Sequence, residues 1–188
     1  MSETKRTAIQ LAAVWGSIIV WVLTLWAMSP GQAPPPIPIQ ALSAAQIDRD
    51  MAQDRLQAQY RAAEATLARQ FKAEGCSDQY AGLAARSAVD NHLPPRVVGA
   101  LIFVESSCRP DAVSKAGAIG LLQVSPRTWH SWTPEALRDP RTNIQAGTFI
   151  LASYVQESGL REGLHRYNGL GDPSQDYSDR VMQVAGYR

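Results

Sequence analysis

A chain of 188 residues has room for one compact domain with appendages, and not for two full-sized domains. With 45% hydrophobic and 19% charged residues it is not a wholly disordered chain, and 13 Gly, 12 Pro and two Cys exclude a collagen-like repeat or a disulfide-dense scaffold. A formal net charge of +1 supplies no basic field to hold a phosphate backbone, so nucleic acid is not an expected partner.

The charge is unevenly spread. Glu3, Lys5 and Arg6 are followed by an uncharged stretch from residue 7 to 47, and beyond it 16 basic and 16 acidic residues remain in balance. Within that stretch, residues 8–28 are rich in Val, Ile, Leu and Trp. At roughly 1.5 Å per residue such a run spans the ~30 Å hydrocarbon core of a bilayer. Lys5 and Arg6 ahead of it predict a cytoplasmic N-terminus, with Trp26 suited to the far interface. A cleaved secretory signal is the alternative, because Ala27-Met28-Ser29 loosely resembles a small-x-small site; Pro30 and the length of the run weigh against it. Either reading exports the remainder.

Pro30, Pro34, Pro35, Pro36 and Pro38 then favour an extended polyproline II spacer. Ser43 and Gln46 have the spacing of a capping box, and Ala44 to Lys72 contains neither Pro nor Gly, which predicts a long helix stopped by Gly75. Leu56, Tyr60, Ala63, Leu67 and Phe71 line up on one face of it, a stripe that either packs on the domain or pairs with another chain. The expected organisation is a cytoplasmic N-terminus and transmembrane anchor (1–29), a Pro-rich linker (30–42), a helical arm (43–75) and an all-α domain (76–188).

In that last segment Ser77 or Asp78 caps a helix carrying Tyr80, Leu83, Ala84 and Ala88, and His92-Leu93-Pro94-Pro95 ends it. A Pro in the first turn opens the next helix, whose run from Val97 to Val104 must be largely buried before it reaches Glu105. A carboxyl group at the end of a core helix faces desolvation, which raises its pKa toward that of a useful general acid. Taken alone, Glu105 reads more simply as a solvated residue or an ion-pair partner.

Its company is more specific. Glu105-Ser106-Ser107 is followed by Pro110, Ser114, the string Gly117-Ala118-Ile119-Gly120-Leu121-Leu122-Gln123-Val124, and later Tyr167-Asn168-Gly169. In this ordered set residues 76–188 resemble the lytic transglycosylases of the soluble-transglycosylase type. Asn143-Ile144-Gln145-Ala146-Gly147 and Tyr177-Ser178-Asp179-Arg180-Val181 look most like the branch that accompanies bacterial secretion and conjugation machines. The resemblance implies a lysozyme-like helical domain, held by its anchor at the bacterial inner membrane. Its implied activity is non-hydrolytic cleavage of peptidoglycan between N-acetylmuramic acid and N-acetylglucosamine, with no cofactor.

Glu105 would be the sole acid and base, which agrees with the need for two carboxyl groups in most glycosidases unless the substrate assists. Asp111 and Asp139 are the other acids within reach, and each reads more simply as a loop residue or helix cap. By the same resemblance Ser114, Gln123, Tyr167 and Asn168 would contact substrate or orient the acid. Beside that stand a turn-former at Ser114, a structural amide at Gln123 and helix-end packing at Tyr167 and Asn168. Gly117 and Gly120 would permit close backbone approach. Leu122 stands where the family usually has Met, Leu170 follows Tyr167-Asn168-Gly169 in place of a small residue, and Arg141 occupies a common Cys position.

Cys76 is therefore left with Cys108, and in an exported domain the two suggest a disulfide; a thiol nucleophile at Cys108 lacks a well-spaced His. His92, His130 and His165 lack metal-ligand spacing, so no metal is expected. Rival readings are a goose-type lysozyme that hydrolyses the same bond, a non-catalytic glycan-binding assembly protein, and a phage lysis or virion enzyme.

Overall fold

The computed structural model describes residues 44–169 and 176–187, so the apolar segment 8–28, the Pro-rich linker and Ser43 lie outside the described residues. Residues 44–188 form one compact unit. Among the described residues seven α-helices follow in order: α1 (Ala44–Ala73), α2 (Ala81–Asp90), α3 (Pro95–Ser106), α4 (Pro134–Leu137), α5 (Pro140–Ser158), α6 (Leu160–Asn168) and α7 (Asp176–Val184). The expected all-α class is what is found. Among the described residues no helix is long and apolar enough to cross a membrane.

Proline and glycine set the boundaries. Pro95, Pro134 and Pro140 each occupy the first turn of a helix, where the missing N–H is not needed. After α1 the chain reverses at Gly75, whose φ of +72° only glycine adopts without strain. The Ser77 hydroxyl then accepts from the Gln79 N–H to open a 3-10 turn at Asp78–Tyr80.

Helix α3 is the centre of the core. Val97, Val98, Leu101 and Ile102 are fully buried, each such burial stabilising by about 1.5–3 kcal/mol. Helices α1, α2 and α7 pack around α3, while α5 covers α2 and α6 bridges α5 to α7. Gly99 lets α1 cross close to α3, since a Cβ there would come within 2.6 Å of Leu67 Cδ2.

The stripe on α1 is used unequally. Ala63, Leu67 and Phe71 are buried in the core, whereas Ile47, Met51 and Leu56 are exposed. The second half of the expected arm is thus an integral wall of the domain, because its apolar side chains complete the cover of α3. Tyr60 marks the changeover, its hydroxyl donating to Asp90 Oδ1 at 2.5 Å under the guanidinium of Arg86.

Between α3 and α4 the chain forms a compact loop with two isolated antiparallel bridges, Val113 with Ile119 and Ile119 with Val124. One buried side chain holds it. Asn143 on α5 accepts from the Leu122 N–H at 2.8 Å and donates to the carbonyls of Ile119 at 2.8 Å and Leu137 at 3.0 Å. Ser106 adds a second tie, its hydroxyl lying 3.0 Å from both Ile102 O and Leu121 O. Gly120 makes the approach of Asn143 feasible, for a Cβ there would fall 2.4 Å from its amide nitrogen. Gly117 is different: nothing lies within 4 Å of such a Cβ, and its φ of +87° is the reason for glycine.

Cys76 and Cys108 are joined, with Cα atoms 5.8 Å apart and a sequence separation of 32. The bond fastens the end of α1 to the turn that follows α3. Chain-entropy reasoning gives such a loop about 3–4 kcal/mol. Replacing both cysteines by serine should therefore lower the thermal midpoint by roughly 10 °C, measured by circular dichroism against the oxidised protein.

Candidate active site

Glu105 occupies the last turn of α3, where the helix emerges from the core beneath the loop held by Asn143. Just past the helix end, Ser107 and Cys108 both take left-handed backbone conformations, which turns the chain sharply away and leaves the carboxyl group facing a cleft. Burial pushes the Glu105 pKa up; a hydrogen bond from Tyr177 and the charge of Arg180 oppose it in part. The net effect favours a neutral carboxyl group able to donate a proton.

Two phenols flank the acid. Tyr177, at the start of α7 and buried, donates its hydroxyl hydrogen to Glu105 Oε1, and the Arg180 guanidinium lies 5.7 Å from its ring centroid. Tyr167, near the end of α6, donates to Leu122 O at 2.7 Å. Burial first, and the nearby Glu105 charge second, hold both phenol pKa values well above their ordinary range. Both remain neutral donors. Gly147 on α5 admits Tyr167, because a Cβ there would stand 2.8 Å from its hydroxyl and 2.5 Å from Leu122 Cβ.

A cavity of about 460 Å³ opens beside the acid. All five residues singled out from sequence, Glu105, Ser114, Gln123, Tyr167 and Asn168, line it. Ser114 also acts as a turn-former, its hydroxyl accepting from the Ala118 N–H at 3.0 Å. Gln123, at a φ of +45°, directs its amide nitrogen to the carbonyls of Gly120 at 2.9 Å and Ala112 at 3.2 Å. That commits its donors to the loop and leaves its carbonyl oxygen as the group available to a ligand.

Sequence reasoning missed an aromatic part of the lining, where Trp129 and Tyr154 meet edge to face with centroids 6.1 Å apart. Such aromatic surface suits the apolar face of a sugar ring. Tyr177 was noticed only within a motif; its place with Val181 and Ala185 on a four-residue stripe was the available sign that it points inward.

Among the described residues no second carboxylate lines the cleft. Asp111 is exposed. Asp139 caps α5, accepting at Oδ2 from the Thr142 N–H at 2.9 Å and from its hydroxyl at 2.8 Å; these bonds hold its pKa down. Metal binding finds no support there either. The cluster of Glu74, Cys76 and Cys108 has its two sulfurs bonded to each other, which removes both thiolate ligands.

Three kinds of likeness bear on this geometry. A transglycosylase of Enterobacteria phage PRD1 is 31% identical over 99 residues, covering 49% of this chain and 37% of that protein. An endo-type membrane-bound lytic murein transglycosylase A of Citrobacter koseri is 34% identical over 102 residues, covering 48% and 43%. The chain thus spans well under half the length of these relatives. Its fold is similar to that of an inactive variant of the lytic transglycosylase Slt from Pseudomonas aeruginosa, with a TM-score of 0.50 at 20% identity, covering 70% of this chain and 29% of that one. The family model for the transglycosylase SLT domain matches residues 82–184, from α2 through α7 and including every cleft residue named above, and the chain belongs to that family.

Proposed function

We propose that this protein is a peptidoglycan lytic transglycosylase and that Glu105 is its only catalytic carboxyl group. The observation that carries the reading is a desolvated acid, hydrogen-bonded by Tyr177, in an aromatic-walled cleft with no second acid among its described lining residues. A neutral Glu105 protonates the glycosidic oxygen between N-acetylmuramic acid and N-acetylglucosamine. The substrate's N-acetyl group stabilises the resulting cationic sugar, as a one-carboxylate site requires. Glu105, now ionised, removes the proton from the muramyl O6, and closure of O6 on C1 yields a 1,6-anhydro end. Tyr177 and Arg180 stabilise the ionised form that exists between the two proton transfers.

Ser114, Gln123, Tyr167 and Asn168 serve in this scheme as substrate-orienting residues, and Trp129 with Tyr154 as a stacking wall. The PRD1 and Citrobacter relatives, named as a transglycosylase and a murein transglycosylase, support the substrate class. The apolar run 8–28 supports an uncleaved anchor in the bacterial inner membrane, with the linker and the exposed part of α1 carrying the domain outward to the wall. The phage relative supports phage machinery as a setting for this activity.

Glu105→Gln should reduce muropeptide release from purified sacculi by about two to four orders of magnitude while circular dichroism stays unchanged. Mass spectrometry of the wild-type products should find 1,6-anhydromuramic ends. Reducing muramic ends alone would reassign the protein as a goose-type lysozyme, and undiminished release by the variant would remove Glu105 from the chemistry.

The raised pKa has a measurable sign. The folded state holds Glu105 neutral more tightly than the unfolded chain does, so this contribution is present in full below the unfolded glutamate pKa and is lost as pH rises through the folded value. The thermal midpoint of Glu105→Gln should therefore match wild type in acid and exceed it increasingly toward neutral pH. Tyr177→Phe removes a bond that favours the carboxylate, and should move the alkaline limb of the pH-rate profile to higher pH. A limb that stays put would separate Tyr177 from the ionisation of Glu105.

A further inference from the structure

Glu105 and Arg166 are the only carboxylic-acid and basic side chains among the described residues lining the cleft. Arg166 lies in the last turn of α6, one residue before Tyr167. Its guanidinium is fixed twice from α5. Nη1 donates to Glu157 Oε2 at 2.6 Å, and Cζ stands 4.5 Å from the centroid of the Tyr154 ring, the ring that abuts Trp129. No hydrogen bond engages its Nε or Nη2 among the described residues, and the side chain keeps 29% of its exposure. A planar fork held in place by stacking, with donors uncommitted, is suited to a bidentate pair with a carboxylate. As a tie between helices the same ion pair counts for little, because Glu157 is 62% exposed and solvent screens it.

The hydroxyl and N-acetyl groups of a glycan strand are neutral. The anionic group nearest the sugar chain of peptidoglycan is a carboxylate on the substituent at O3 of muramic acid. It is the lactyl carboxylate where the stem peptide has been removed, or a stem-peptide carboxylate where it remains. We infer that Arg166, positioned by Glu157 and Tyr154, binds this carboxylate and so makes the cleft prefer muramyl strands over neutral N-acetylglucosamine polymers. This inference rests on the proposed peptidoglycan reading and assigns the residue that selects within it. Arg166 acts here on affinity and not on proton transfer.

The test uses full-length Glu105→Gln protein, which binds without turnover, and three tetrasaccharides. These are chitotetraose, peptide-free N-acetylglucosamine-N-acetylmuramic acid tetrasaccharide, and the same sugar carrying its stem peptides. Titration calorimetry should show at least one carboxylate-bearing ligand favoured over chitotetraose by about tenfold. Adding Arg166→Gln should reduce that preference to less than about twofold while chitotetraose affinity changes by no more than about twofold. Whichever carboxylated ligand is favoured identifies the source of the anion.

Equal weakening of all three ligands, or a preference that survives the substitution, overturns the inference. Should Arg166→Gln fail to fold, the parent protein still decides: the preference must shrink as salt rises from about 50 to about 500 mM, and a salt-independent preference overturns it. Failure of the parent to bind any of the three ligands counts against the peptidoglycan reading itself.

Discussion

The hydrogen bonds of one buried amide underlie the whole cleft. The loop between α3 and α4 closes on itself through backbone bonds such as the pair between Ile119 and Val124, but its Leu122 N–H is met by the Asn143 side chain, and a buried peptide group without a partner is costly. Asn143 supplies three bonds at once from the first turns of α5, to Leu122, Ile119 and Leu137. Fixing Leu122 fixes the carbonyl that receives the Tyr167 hydroxyl, and through Ser106 the same loop is tied back to the last turn of α3, next to Glu105. The acid and the walls around it are thus registered against one another by a side chain that touches none of the chemistry. Aspartate at position 143 could accept from Leu122 but could not donate to two carbonyls, so the amide is required for its mixed hydrogen-bonding capacity.

In the proposed mechanism the surroundings of Glu105 balance opposed demands. A proton donor must hold its proton until the substrate arrives, and a base must tolerate charge once it is spent. Burial serves the first demand, while the Tyr177 hydroxyl and the more distant Arg180 charge serve the second without forming a salt bridge that would keep the carboxyl group ionised. Phenols suit this position because their own burial keeps them neutral. A lysine in place of Tyr177 would bring a full positive charge and pull the pKa of the acid the other way.

The helices were legible because their ends are written in local chemistry. Gly75, the Pro94-Pro95 pair and the apolar run from Val97 to Val104 locate α1 and α3 without tertiary information. Glu105 could be suspected from its place after that run. Tyr177 lies 72 residues further on, and no periodicity reports which residue its hydroxyl will meet across the core. The Trp129 and Tyr154 wall was equally hidden, since its ring contact exists only once α5 has packed beneath the loop. The role of Gln123 in bracing its own loop depended on a positive φ, which the sequence did not signal at a non-glycine residue. The stripe on α1 was seen, but where it passes from core to solvent depends on how far α2 and α3 extend beside it, and that is a property of the assembled fold.

The covalent link from Cys76 to Cys108 also imposes an order of events. It ends three residues beyond the acid and forms only in an oxidising compartment, so a newly made chain still in a reducing cytosol lacks it. In that compartment its ratio of folded to unfolded molecules is lower by about two to three orders of magnitude, following from the loop-closure contribution alone. On the proposed reading of an exported enzyme that cuts the cell wall, the domain reaches full robustness only after translocation.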